Sequence, residues 1–231
     1  MTAIVEPRVE LIAHTTLACD GRSPAIEGHM SLDPEAGDAQ QLVEFAGRAC
    51  YQSFAKPNPA TARNKDYITR TLHGQKHFSI AEHATATFYI TGVSRALTHE
   101  LIRHRHLSYS QLSQRFVDES EANIVIPPAA RGSEKLTWEF ENAAAGARHS
   151  YLELVEALLG SGLPRKQARE AARAVLPNMT ETRIVVTGNM RAWHEVIERR
   201  TAPDADAEFQ QVAGMIREQL QQLAPEVFPA P

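Results

Sequence analysis

Cysteine is nearly absent from this chain: there are two in 231 residues, Cys19 and Cys50, and their spacing matches no metal-ligand or redox pattern. That excludes a disulfide-stapled scaffold and a cysteine-rich zinc module, and both side chains read as free thiols. No apolar run approaches the roughly 20 residues needed to cross a bilayer. The amino-terminal M-T-A-I-V-E-P-R lacks the basic flank and small-residue cleavage site of a signal peptide, so a cytoplasmic protein with no membrane partner is expected. Excess positive charge is missing as well. With 24 Lys and Arg against 28 Asp and Glu, the formal net charge is -4, which argues against a general nucleic-acid partner and requires any cationic site to be local. Also missing are an internal repeat, a low-complexity tract, a glycine-rich phosphate loop and the alternation of strands and helices that marks a parallel sheet.

What remains is a chain with 43% hydrophobic residues, long enough for one substantial core, and one domain over residues 1–231 is expected. Strands are predicted at 8–13, 85–91, 183–187 and, before Pro127-Pro128, at 123–126. Helices are predicted from Asp38 to Gln52 with Leu42, Phe45, Ala46 and Ala49 inward, from Tyr67 to Gly74, and from Ser94 as N-cap toward Arg103. Four more follow. One runs from Leu136 to Leu159 with Trp138, Ala145, Tyr151, Leu152, Val155 and Leu159 on its packed face, and another opens at Pro164 with a stripe through Ala168, Ala171, Ala172, Val175 and Leu176. The last two span the region after Gly188-Asn189 to Arg200, and the stretch from Ala205 through Phe209, Val212, Met215, Ile216 and Leu220. The segment from Asp20 to Asp38, rich in Gly, Pro, Asp and Ser, reads as a loop. Helices outnumber scattered strands, which points to an α+β fold with a small mostly antiparallel or mixed sheet packed by several helices.

The stretch Arg103 to Arg115, R-H-R-H-L-S-Y-S-Q-L-S-Q-R, crowds guanidinium, imidazole, hydroxyl and amide groups together, the set that holds phosphates and polar rings. Two readings compete. The cations could end a helix, favoured there by its dipole, or form a ligand site, since Leu97, Leu101, His104 and Arg105 share a helical face and a buried arginine needs a partner. Arg200 raises the same question, because it follows Trp193, Val196 and Ile197 on the apolar side of its helix. A ligand, a carboxylate or snorkelling would each explain it. Arg165, Arg169 and Arg173 recur every four residues; the first two read as solvated, whereas Arg173, just before Pro177, could point into a cleft. His77, Glu82 and His83 have no common zinc spacing, so no metal site is expected.

Arg103-His104-Arg105, seven residues and then Ser113 is the signature of the flavin-dependent thymidylate synthases, which this sequence strongly resembles. Four fixed positions recur by chance at a given start on the order of once in a hundred thousand. The resemblance extends to Gly74 through His83, to Arg173-Ala-Val-Leu-Pro and to Asn189-Met190-Arg191 through Arg200, and covers the chain from about Leu42 to its end. It implies reductive methylation of dUMP to dTMP, with methylenetetrahydrofolate as carbon donor and NADPH reducing FAD, in a homotetramer whose sites are shared between subunits. No cysteine nucleophile is used.

Carried over by position, the resemblance assigns FAD contacts to Ser79, Arg103, His104 and Arg105, and to Gln111, Asn189, Met190, Arg191 and Glu195, with His77 beside the flavin. It assigns dUMP contacts to Glu100, Leu101, Ile102 and Arg103, to Gln111, Leu112, Ser113, Gln114 and Arg115, and to Arg173 and Arg200, the last being the catalytic residue that favours ionisation of the uracil. Glu195, Arg199, Asp204 and Phe116 depart from the family's usual residues.

Overall fold

A computed structural model describes residues 3–18, 26, 28, 32–56 and 58–230. Cys19 and most of the stretch read as a loop between Asp20 and Asp38 lie outside the described residues. The fold is α+β, with four strands ordered β1-β2-β4-β3 and every neighbouring pair antiparallel: β1 (Arg8–His14), β2 (Thr85–Ser94), β3 (Leu107–Gln111) and β4 (Glu181–Asn189). Seven α-helices accompany them among the described residues: α1 (Asp38–Tyr51), α2 (Asn64–Ile68), α3 (Arg95–Leu101), α4 (Glu134–Gly160), α5 (Arg165–Ala172), α6 (Met190–Arg200) and α7 (Ala207–Leu223).

The central strands alternate as their sequence predicts. Along β2, Ala86, Phe88 and Ile90 are buried while Thr85, Thr87 and Tyr89 are half-buried, and β4 opposes them with Ile184 and Val186. Gly92 marks a register shift between Ile90 and Val93. It has φ of +66°, and a Cβ there would overlap the Glu6 carbonyl. Against the buried side of the sheet pack the apolar stripes of α6 (Trp193, Val196, Ile197) and α7 (Phe209, Val212, Ile216, Leu220), as the helical spacing anticipates. The Trp193 indole stands edge-on to Phe88 and donates from Nε1 to the Ala86 carbonyl at 3.1 Å.

Several expectations are corrected. The R-H-R stretch does not continue α3, which ends at Leu101; residues 102–106 form a turn, and the chain re-enters the sheet as β3, a strand the sequence reading lacked. The alternation in L-S-Y-S-Q was its signal. Helix α1 buries Ala39, Gln40, Val43, Glu44, Gly47 and Arg48, while Leu42, Phe45, Ala46 and Ala49 are only partly covered. The polar side is buried because it is satisfied: Arg48, 2% exposed, donates to Glu44 at 2.6 Å and to the Ser53 and Thr61 carbonyls, and lies over the Tyr67 ring. Residues 123–126 form no strand, only isolated bridges from Ile124 to Ile4 and Thr180. On α4 the expected packed face is largely open: Tyr151 is buried, but Trp138 is 60% exposed and Leu152 and Leu159 are exposed too. Ala168 and Ala172 are buried as anticipated, whereas Ala171 and Val175 are exposed and Leu176 is only half-buried, because the α-helix ends at Ala172.

We expect Gly92→Ala to destabilise the protein by about 2 kcal/mol or more, because both its dihedral and the Glu6 backbone oppose a Cβ. Gly146→Ala, in the middle of α4 with nothing within 4 Å of its would-be Cβ, should instead stabilise by roughly 0.5–1 kcal/mol. Chemical denaturation of the two variants against the parent chain reads both; equal shifts of the same sign would contradict the bulge geometry.

Candidate active site

The site begins at Ser94, whose hydroxyl caps α3 by accepting from the Leu97 amide at 3.1 Å and donates to buried Glu208 at 2.6 Å. Two turns later the helix ends, and the backbone turn that follows is tied down by one side chain: the Tyr109 hydroxyl on β3 lies 2.7 Å from both the Leu101 and His104 carbonyls. Burial pushes the Tyr109 phenol up to about 12, so it stays protonated and can donate. Tyr109 was missed by sequence reasoning because its role depends on β3, whose pairing with the distant β4 is not a local feature.

This turn presents Arg103 and Arg105 outward and His104 inward. Among the described residues neither Arg103 nor Arg105 makes an ion pair, and both line an open polar cleft of about 560 Å³ with Glu100, His104, His106, Leu107 and, from α6, Ala192, Glu195, Arg199 and Arg200.

Arg200 closes one wall. Its Nη1 donates to Glu100 Oε2 at 2.9 Å, Nη2 to the Glu100 carbonyl at 3.2 Å and Nε to His104 Nε2 at 3.0 Å, while the guanidinium lies 4.9 Å from the Phe209 ring centroid. The side chain is 17% exposed. An arginine on an apolar face is thus explained by a carboxylate and an aromatic floor together, with one edge left toward the cleft. For His104 Nε2 to accept, the proton must sit on Nδ1 and the ring must be neutral. Burial and then the Arg200 charge hold the His104 imidazole below its ordinary value, in agreement with that tautomer. Two of the departures from the family pattern compensate each other here, as Glu195 and Arg199 pair at 3.3 Å one turn apart.

Glu100, Arg103, His104, Arg105, Glu195 and Arg200 are therefore brought together. Leu101 is buried beneath the turn, Ile102 is exposed on it, and Gln111 donates to the Thr98 and Thr182 hydroxyls. Asn189 caps α6 through the Ala192 amide, Met190 is buried behind it, and Arg191 pairs with Glu82. Other expected contacts do not line this cleft. His77 and Ser79 are exposed at a short 3-10 helix (Phe78–Glu82), Leu112 and Ser113 are half-buried beyond β3, Gln114 is buried, Arg115 pairs with Glu170 at 2.6 Å, and Arg173 starts a 3-10 turn after α5. Arg169 is not solvated as expected: it binds Asp118 at 2.6 Å and the Phe116 carbonyl at 2.8 Å. Among the described residues no group of three His, Cys, Asp or Glu is placed to hold a metal ion.

A family model described as thymidylate synthase complementing protein matches residues 33–226. The chain belongs to this family, the flavin-dependent thymidylate synthases. Curated flavin-dependent thymidylate synthases from Mycobacteroides abscessus and Mycolicibacterium gilvum are each 51% identical to it, over 99% of this chain and 91% of theirs. The one from Mycobacterium tuberculosis is 50% identical over 96% of this chain and 88% of its own. The match extends across α3, the R-H-R turn and α6, so the cleft described above lies wholly within the segment shared with the family.

The neutral His104 makes a stability prediction. Its depressed value means that the unfolded chain binds the proton more readily, so the contribution is complete above the ordinary histidine value of about 6.5 and is lost as pH falls through the lower folded-state value. Unfolding midpoints measured from pH 8 to pH 5 should fall with acid in the parent chain and fall less in His104→Gln. Identical acid slopes for the two proteins would show that His104 is not held neutral by Arg200.

Proposed function

We propose that this protein, as one domain over 1–231, converts dUMP to dTMP in the cytoplasm by reductive methylation, taking the carbon from methylenetetrahydrofolate. The observation that carries the reading is the convergence of the R-H-R turn with Arg200 and Glu100 on one polar cleft in a chain of this family. The fit to FAD rests on the donor set: Arg103 and Arg105 are exposed guanidiniums without carboxylate partners among the described residues, the groups that would grip a pyrophosphate. His77, Ser79, Gln111, Asn189, Met190, Arg191 and Glu195 would complete the flavin surface. Reduced by NADPH, bound FAD supplies the hydride.

The chain's own residues do the positioning. Arg200 is held from two sides before any substrate arrives, so little reorganisation is needed for it to face the uracil. A fixed cation there favours ionisation at N3 and enriches C5, the carbon to be methylated. Glu100, Leu101, Ile102 and Arg103 form one wall of the nucleotide site; Gln111 to Arg115 and Arg173 grip the rest. Cys50 is exposed on α1 and takes no part.

Within a single chain, Gln114, Arg115 and Arg173 do not line the Arg200 cleft, and α4 leaves Leu136, Trp138, Leu152 and Leu159 uncovered. Both facts support a homotetramer in which each site is completed by another copy.

The direct test is a spectrum and an assay: purified protein should show a flavin absorbance band, bleach with NADPH, and form dTMP only with dUMP and methylenetetrahydrofolate present. Cys50→Ser should retain that activity, and loss of turnover in a folded, FAD-loaded Cys50→Ser protein would sink the thiol-independent mechanism.

Arg200→Ala should lower kcat more than it raises the dUMP KM, by about 100-fold or more, and Arg200→Lys should recover only part. A pure KM effect would reduce Arg200 to a simple clamp. For the assembly, Arg173→Ala and Arg200→Ala chains, each nearly inactive, should regain activity when co-expressed, whereas Arg103→Ala with Arg200→Ala, two residues of one and the same cleft, should not. No recovery in mixed tetramers verified by mass spectrometry would mean that each site is built within one chain.

A further inference from the structure

The candidate site is also held from behind, through a buried carboxylate that does not line the cleft. Glu208, 7% exposed in the first turn of α7, directs both oxygens at one residue: Oε1 accepts from the Ser94 amide at 2.7 Å and Oε2 from the Ser94 hydroxyl at 2.6 Å. Glu208 and its neighbour Phe209 both donate their amides to Asp206, the N-cap of α7, so the turn that carries them is itself fixed. At the head of α3 the first amides all have acceptors. Arg95 donates to the Thr180 carbonyl and Ala96 to the Asn178 carbonyl, each at 3.1 Å, and Leu97 donates to the Ser94 hydroxyl. The first two bonds tie α3 to the chain just before β4, and Glu208 ties it to α7.

From Glu208 the contacts run back to the site. Phe209, next in sequence, lies 4.9 Å beneath the Arg200 guanidinium and stands edge-on to the His104 ring at 6.2 Å. Arg200 in turn holds Glu100 in the last turn of α3. One short helix is therefore gripped at its head by Glu208 and near its tail by Arg200, and the two grips meet at adjacent positions of α7. A buried carboxylate carries a desolvation cost that an apolar packing residue would not. What it adds is direction, because two charge-assisted bonds to one residue fix both distance and orientation.

We propose that Glu208 is a positioning residue for the reaction: by fixing the head of α3 against α7, it sets where Glu100 and the R-H-R turn stand relative to Phe209, and so where Arg200 points. The inference rests on the reading of Arg200 as the cation that faces the uracil, and it extends that reading to a residue outside the cleft. With the head of α3 released, Glu100 shifts with its helix and Arg200 loses alignment with its acceptors. His104 Nε2 then loses the donor that requires its ring to be neutral.

Histidine ring NMR on the substrate-free protein reads that last consequence, with the His104 signal assigned by its absence in His104→Gln. In Glu208→Ala the His104 titration should move up toward the ordinary value of about 6.5. In FAD-loaded Glu208→Ala, kcat should fall on the order of 10-fold or more while the dUMP KM stays within about two-fold. Glu208→Gln keeps the length and one acceptor for the Ser94 amide, and should recover most of both. Leu220→Ala, a buried position at the other end of α7, is the control. Its unfolding midpoint should drop at least as far, with kcat and the His104 titration as in the parent chain. If Glu208→Ala does not fold, Glu208→Asp, one carbon too short to reach both Ser94 groups, takes its place with the same expectation. A folded, less stable Glu208 variant with unchanged kcat and His104 titration would reduce Glu208 to a stabilising contact and overturn the inference, as would equal changes in Leu220→Ala. Arg200→Ala in the same assay separates the levels. If it lowers kcat and the Glu208 variant does not, only the present inference falls, whereas unchanged kcat in Arg200→Ala removes the reading on which it rests.

Discussion

The Arg200 guanidinium joins parts of the chain about a hundred residues apart, and the shape of the candidate site depends on that junction. It ties the last turn of α6 to the end of α3 through Glu100 and to the R-H-R turn through His104. A charge placed so close to the core is tolerated because each of its three nitrogens has an acceptor and its face lies on Phe209. Removing any one partner would leave a polar group partly desolvated without compensation, the costly half of the hydrogen-bond asymmetry. The cation is therefore oriented by the folded protein itself.

The sheet supplies the rigidity this requires. β2 and β4 lie at its centre, and each leads directly into a helix that carries site residues: Ser94 ends β2 and caps α3, and Asn189 ends β4 and caps α6. Both caps accept backbone N–H groups that would otherwise be orphaned. The turn between α3 and β3 has no regular structure of its own, and the Tyr109 hydroxyl replaces the missing ladder by bonding two of its carbonyls. The candidate site is thus built on an irregular segment clamped between regular ones.

A second buried polar network shows the same physics without a site. Gln40, Glu44, Arg48 and Asn64 bond to one another between α1 and α2, with Arg48 stacked on Tyr67. Arg48 and Arg200 both look anomalous on a helical wheel. Arg48 is closed off by its neighbours, whereas Arg200 keeps an edge toward a cleft, and that difference in remaining exposure separates an arginine sealed into the fold from one still open to a candidate site.

By itself the sequence determined the elements whose pattern is local: the period-two strands β2 and β4, the apolar stripes of α6 and α7, the Ser94 cap, and the spacing of Arg103, His104, Arg105 and Ser113 that marks the family. Those features depend on neighbours a few residues away, so they can be read along the chain. Tertiary structure alone decided the others. Which side of α1 is buried depended on whether Arg48 could find Glu44 and two carbonyls. Whether the R-H-R stretch stayed helical depended on β4 offering an edge for β3. What Arg200 meets depended on bringing positions 100 and 104 to position 200. Periodicity measures hydrophobicity along one element, and a polar group's fate is set by partners on another; that information enters only when the chain folds.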